Sequence, residues 1–178
     1  MFKLKSTKIG ILGGSFDPAH KGHLKISKIA LKKIKLKKIY WIVTKKNPFK
    51  EKTFFSLKDR IDKAKKISSK IKNIEVLYLD DVIKSSKSIK VIQYILKKKK
   101  PKDLYFIVGS DILLNFHRWH SWKRIVKLTK LIVFSRKGYD RKSKKTIVVK
   151  YLNKNNITFI KNKPIEVSST FLRKRVKI

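Results

Sequence analysis

Two histidines separated by a single Lys-Gly pair, His20 and His23, close the run Gly13-Gly14-Ser15-Phe16-Asp17-Pro18-Ala19-His20-Lys21-Gly22-His23. A glycine turn and a proline break precede them, at the point where a short apolar run gives way to an amphipathic helical pattern. Glycines let a backbone approach a bulky anion, and a helix N-terminus offers unpaired N–H groups and the positive end of a dipole. Imidazoles at such a mouth add donors that can follow charge as it builds on phosphate oxygens. The chemistry indicated is phosphate handling without a Walker lysine loop. The competing reading, a glycine turn with two ordinary surface histidines, must treat the flanking of Gly22 by both rings as coincidence. A G-x-G-x-x-G dinucleotide fingerprint is absent.

Three further clusters carry chemistry. After Pro164 comes Val167-Ser168-Ser169-Thr170-Phe171-Leu172-Arg173. Ser168 or Ser169 can cap a terminal helix, the amides and hydroxyls form an anion site, and Arg173 one turn on supplies a fork for phosphate. A plain serine cap on a basic tail accounts for the same residues. Gly109-Ser110-Asp111 closes a very apolar run, where a glycine followed by an acid can hold a ribose or an adenine edge; helix capping by Ser110 or Asp111 is compatible with it. In Phe116-His117-Arg118-Trp119-His120-Ser121-Trp122 polar residues alternate with rings. That pattern suits either core packing or a platform for a planar ligand. A zinc site from His20, His23, His117 and His120 is a remoter reading, since histidine-only sites are uncommon.

These clusters need a scaffold, and the apolar pattern supplies one. Short runs rich in β-branched and aromatic residues predict strands at Lys8–Leu12, Ile39–Val43, Ile74–Leu79, Leu104–Val108, Leu131–Ser135 and Ile157–Ile160. Between them, helical spacing predicts helices at Lys21–Leu36, Ser56–Lys70, Ser88–Lys99 and Trp119–Leu128. The alternation implies an α/β fold: one Rossmann-like domain over residues 1–178, with a mostly parallel sheet and helices on both faces. Ligands of such sheets lie at the carboxyl ends of the strands. Gly13, Thr44, Gly109 and Arg136 should therefore converge on one crevice.

Charge bounds the partners. The chain holds 49 basic and 11 acidic residues for a net charge of +38, yet only seven of the bases are arginine. The lysines are scattered along the chain rather than gathered in a stripe. We read them as solvated faces, with weak nonspecific nucleic-acid binding as a side effect and no specific nucleic-acid partner. No cysteine is present, which excludes disulfides, thiolate catalysis and sulfur-ligated zinc. Residues 1–8 lack a signal-like apolar core and no stretch approaches membrane-spanning length, so a cytoplasmic location without membrane attachment is expected.

Together the motifs resemble the HxGH nucleotidyltransferase superfamily, and within it the bacterial nicotinate-nucleotide adenylyltransferase family. The opening signature matches throughout Gly13–His23, and the closing S-S-T-x-[IL]-R signature matches at Ser168–Arg173. Between them, Trp41 with Asn47-Pro48-Phe49-Lys50, Gly109-Ser110-Asp111, Phe116–Trp122 and Arg136-Lys137-Gly138-Tyr139 match the family's internal segments. Two positions depart from its pattern. Ser85–Ile92 lacks the tyrosine and last threonine of a T-x-Y-T-x-x-T-L segment, and Lys137 replaces a proline.

The resemblance implies adenylyl transfer from ATP to nicotinate mononucleotide, with His20, His23 and Arg173 at the reacting phosphates. It assigns Gly13, Gly14, Ser15, Phe16, Gly22, Gly109, Asp111, Arg136, Ser168, Ser169 and Thr170 to ATP. Asn47, Lys50, Ser88, Trp119 and His120 fall to the pyridine nucleotide, with backbone amides near Ser88 serving in place of the missing side chains. Mg²⁺ is expected on the ATP phosphates rather than in a protein metal site. A homo-oligomer is compatible with the resemblance. Phosphopantetheine and nicotinamide-mononucleotide adenylyltransferases are the nearer alternatives, and a basic RNA-binding protein the remote one.

Overall fold

The structure, a computed structural model, describes residues 7–45, 52–162 and 169–176. The expected residues Asn47, Lys50 and Ser168 lie outside these. Six strands form one sheet: β1 (Lys8–Gly14), β2 (Lys38–Val43), β3 (Ile74–Tyr78), β4 (Asp103–Gly109), β5 (Lys130–Phe134) and β6 (Ile157–Ile160). Their order is β3-β2-β1-β4-β5-β6, and every pairing is parallel. All six expected strands are present.

Parallel strands are covered on both faces, so they read as unbroken apolar runs whose alternate residues enter different cores. Ile9, Ile11, Tyr40, Ile42, Phe106, Val108, Leu131 and Val133 pack in one core. It also takes in Ile89, Ile92 and Ile95 of α3 (Ser88–Lys99) and Ile125 of α5 (Trp122–Leu128). Leu12, Ile39, Trp41, Val43, Tyr105, Ile107, Ile132 and Phe134 enter the second core, with Ala30 of α1 (Lys21–Ile34) and Ala64 of α2 (Leu57–Ser68). Gly10 is a packing glycine of β1, because a Cβ there would meet Leu36 Cδ1 at 2.9 Å and Ile39 Cγ1 at 3.1 Å.

Helix ends differ from expectation where capping intervenes. α1 stops at Ile34 because Lys35 turns left-handed (φ 56°) and returns its N–H to Leu31 O. Ser56 is not helical but caps α2, its hydroxyl accepting the Asp59 N–H at 3.1 Å. The expected helix Trp119–Leu128 is corrected to a 3₁₀ turn at Phe116–Arg118 and a later start at Trp122. Ser121 breaks the path with φ 56°, and Trp119 is extended. Three short helices were not anticipated: α4 (Ser110–Leu113), α6 (Asp140–Ser143) and α7 (Ile147–Tyr151). The last helix, α8, spans Ser169–Val176.

The chain runs outward from β1 to β2 and β3, then crosses back to β4 and on to β5 and β6. The strand order therefore reverses between β1 and β4, the position where open α/β sheets leave a crevice at the carboxyl ends of their strands. Gly13 and Gly14 end β1 at this edge and Gly109 ends β4.

Candidate functional site

Beyond Gly14 the chain makes a tight turn into α1. Phe16 takes φ 47°, which is strained for a residue with a bulky side chain; its buried ring lies against His23 (4.9 Å between centroids) and Trp41 (5.2 Å, stacked). Trp41 is itself buried, donating to Ser27 Oγ at 2.9 Å. These contacts press the turn against the core. A Cβ added to Gly13 would meet nothing within 4 Å, so this strand end borders open space.

The two histidines form the cap of α1. His20 Nδ1 accepts the Gly22 N–H at 3.0 Å, and His23 Nδ1 accepts the His20 N–H at 3.2 Å. The pattern is a capping box with imidazoles in place of hydroxyl and carboxylate. Because each Nδ1 is an acceptor, the neutral ring carries its proton on Nε2, so each ring presents a donor on its far side. Burial, aided by the charge of Arg136, pushes the His20 pKa down to about 4, so His20 is neutral at physiological pH.

Asp17 joins this turn to distant segments. Its two carboxylate oxygens accept the N–H groups of Phe54 and Phe55, both at 2.9 Å. Arg173 Nη1 donates to the Asp17 carbonyl at 2.7 Å and stands 3.6 Å from its carboxylate, while Nη2 donates to Thr170 Oγ1. Ser169 Oγ donates to the Pro18 carbonyl at 3.0 Å. The two ends of the chain thus meet at one turn. The Ser169 hydroxyl docks α8 on that turn.

Arg60 is a further organising residue, outside the motifs named from the sequence. Only 2 % exposed, it spends its guanidinium on four main-chain carbonyls: Ser15 (2.7 Å), Thr44 (2.8 Å), Phe55 (3.2 Å) and Lys45 (3.3 Å). Burial lowers its pKa against the opposing charges of Asp17 and Asp80. Asp80, also buried, holds the β2 exit from the other side by accepting from Thr44 Oγ1 and the Lys45 N–H. One signal for Arg60 lay in the sequence: it is the sole arginine of α2 and shares the spacing of Leu57, Ile61 and Ala64.

Across the crevice, Gly109 caps α4 with its backbone, and neither Ser110 nor Asp111 acts as the side-chain cap. A Cβ at Gly109 would collide with Asp111 Oδ1 and press on Arg136 at 3.3 Å, so the glycine is needed for the acid to fold back. Asp111 Oδ1 stands 3.8 Å from Arg136 Nε and has no hydrogen-bond partner among the described residues. Gly13, Thr44, Gly109 and Arg136 stand at the carboxyl ends of four adjacent parallel strands, and Gly109 lies against Arg136. His20 belongs with them, since the Arg136 charge acts on its ring.

The aromatic segment divides between packing and exposure. Phe116 is fully buried; Trp119 stacks on it at 4.9 Å and meets the edge of Phe106 while remaining half-buried. His120 is exposed. Ser88 opens α3, whose N-terminus has no side-chain cap and no acid in its first turn. Among the described residues no group of three or more His, Cys, Asp or Glu is placed to hold a metal, so the four imidazoles do not gather into a zinc site. The mouth is lined by imidazole, guanidinium and amide N–H groups, which can donate to phosphate oxygens.

A parallel sheet with an imidazole-capped helix at its reversal point defines a nucleotidyltransferase-type α/β domain, and a family model described as cytidylyltransferase-like matches residues 11–175. A Pelagibacter ubique protein named probable nicotinate-nucleotide adenylyltransferase is 51 % identical, covering 96 % of this chain and 94 % of the relative. An Aquifex aeolicus protein of the same name is 35 % identical over 90 % of this chain and 98 % of its own. The Plasmodium falciparum nicotinic acid mononucleotide adenylyltransferase complexed with NaAD shares the fold, with a TM-score of 0.75 at 19 % identity over 94 % of this chain and 83 % of that one. The chain belongs to the cytidylyltransferase-like family and, within it, to the nicotinate-nucleotide adenylyltransferases. No helix among the described residues is long and apolar enough to cross a membrane.

Proposed function

We propose that the protein transfers the adenylyl group of MgATP to nicotinate mononucleotide, releasing pyrophosphate, and that the crevice between β1 and β4 is its active site. The observation that carries this is the reciprocal cap of His20 and His23, in which each Nδ1 accepts a backbone N–H and both imidazoles stand at the helix mouth. A donor at that position strengthens as charge develops on transferring phosphates. The names of the relatives supply the acceptor.

In this reading the 5′-phosphate of nicotinate mononucleotide attacks the α-phosphorus of ATP in line. A new P–O–P bond forms, the bond to the bridging oxygen before the β-phosphorus breaks, and pyrophosphate leaves with the electron pair. The nucleophile is already anionic, so no protein base or covalent intermediate is required. His20 and His23 donate to the phosphates, and the remaining guanidinium N–H groups of Arg173 reach the pyrophosphate side beside Ser169 and Thr170. Gly13, Gly14, Ser15, Phe16 and Gly22 shape the phosphate turn, while Gly109, Asp111 and Arg136 receive adenosine. Trp119, held by Phe116, offers a face to the pyridine ring beside His120, and the open amides at Ser88 suit its carboxylate. Mg²⁺ enters with ATP and neutralises phosphate charge.

The test is pyrophosphate release from MgATP with nicotinate mononucleotide, nicotinamide mononucleotide and phosphopantetheine in parallel. Release favouring nicotinate mononucleotide by at least about tenfold in kcat/KM is expected, because the neutral amide cannot repeat the carboxylate's charge. Preference for either other acceptor overturns the assignment.

A further inference from the structure

Arg136 has the position to act at the crevice but little to hold it there. Its side chain is half exposed, and its Nε is 3.8 Å from Asp111. A flexible exposed guanidinium loses conformational freedom on engaging a ligand, and fixing its main chain beforehand lowers that cost. The structure shows such a fixture.

Asp140 Oδ1 accepts the Arg136 N–H at 3.0 Å and the Ser110 hydroxyl at 2.7 Å. Ser110 Oγ in turn lies 2.9 Å from the Arg136 N–H, and Ser110 is 1 % exposed. One carboxylate oxygen therefore closes a triangle between the loop leaving β4 and the loop leaving β5. The Ser110 hydroxyl, the Arg136 amide and the Ser135 side chain all hold Asp140 below the usual carboxylate range, with Lys144 adding its charge. Asp140 thus stays ionised near neutrality and its acceptor strength is retained. Ser110 directly follows Gly109 and directly precedes Asp111, so the same triangle registers Arg136 against both.

We propose that Asp140 is a positioning residue for the adenosine half of the site, acting through Ser110 and the main chain of Arg136. It rests on the reading of Gly109, Asp111 and Arg136 as the adenosine subsite. The residue touches no substrate itself; it sets where Arg136 starts from and ties that start to Gly109–Asp111.

The experiment measures binding of α,β-methylene-ATP with Mg²⁺ by calorimetry, together with steady-state kinetics for both substrates and thermal melts. Asp140→Ala is expected to raise the analogue Kd and the KM for ATP about tenfold, the weight of a charge-assisted hydrogen bond. The KM for nicotinate mononucleotide and kcat should stay within about threefold, because neither depends on this contact. Asp140→Asn keeps a carbonyl oxygen for both donors without the charge and should recover part of the loss. Ser110→Ala combined with Asp140→Ala should cost little more than Asp140→Ala alone. A lowered Tm with unchanged analogue binding overturns the proposal, as does an equal rise in KM for both substrates or an Asn variant as impaired as Ala. A wild-type protein that binds the analogue yet releases no pyrophosphate with nicotinate mononucleotide instead overturns the acceptor reading alone.

Discussion

Arg173 Nη1 donates to the main-chain carbonyl of Asp17 at 2.7 Å, across 156 positions of sequence. The same guanidinium spans Thr170 Oγ1 at 3.1 Å, and the carboxylate of Asp17 lies 3.6 Å away. The arginine therefore ties α8 to the turn that leads to His20, and in the proposed reaction it also meets the phosphates. Arg173→Ala should lower kcat by about two to three orders of magnitude, the loss typical of a donor lost at the transition state. Arg173→Lys should recover only part of it, because an ammonium cannot fork between Asp17 and Thr170. Steady-state pyrophosphate release with matched thermal melts checks both variants.

His20 makes stability pH-dependent in a definite direction. Its folded pKa, about 4, lies below its unfolded value of 6.5, so the unfolded chain binds this proton first. The contribution is complete above about pH 6.5 and is lost as pH falls from there toward 4. Thermal melts between pH 7.5 and 4.5 should show the wild type losing Tm relative to His20→Asn, whose amide can still cap α1. Equal losses in the two proteins would remove His20 as the source.

Gly109→Ala tests the crevice wall. The added methyl collides with Asp111 Oδ1 and crowds Arg136, both held near the surface rather than in a core. The protein should fold with a Tm within a few degrees of wild type, while kcat/KM for ATP falls about tenfold as the carboxylate is displaced. Wild-type kinetics would show that Asp111 has no role in this orientation.

Arg60→Leu removes the donor shared by the carbonyls of Ser15, Thr44, Lys45 and Phe55. A buried acceptor left without a partner carries its full desolvation cost, so denaturant unfolding should show a loss of about 3 kcal/mol or more. Arg60→Lys should fall between, holding one or two of the four. Unchanged stability in Arg60→Leu would mean that water replaces the guanidinium at little cost.

Much of this molecule was legible along the chain because its causes are local. Strands buried on both faces read as runs of Ile, Val and Leu, and the helices between them show one apolar stripe, so the six strands and their alternation with helices followed from spacing. The boundaries were less legible. Lys35 and Ser121 adopt left-handed backbones without being glycine, and no pattern marks a lysine or serine for that role. Ser56 shifted from helix to cap for the same kind of reason, a hydrogen bond to Asp59 that competes with the helical path.

Residue order alone marks the Gly13–His23 turn and the closing Ser168–Arg173 as groups that can meet phosphate, and Gly109 with Asp111 as groups that can hold a nucleoside. It could not say that His20 and His23 cap one another, because a ring nitrogen's role depends on which amide the folded turn brings to it. Nor could it assign Arg60 and Asp140, whose neighbours are carbonyls, amides and hydroxyls from segments remote in sequence. Only the parallel sheet, by reversing its order between β1 and β4, brings those segments to one edge. There, hydrogen bonding to backbone groups that carry no sequence identity decides the rest.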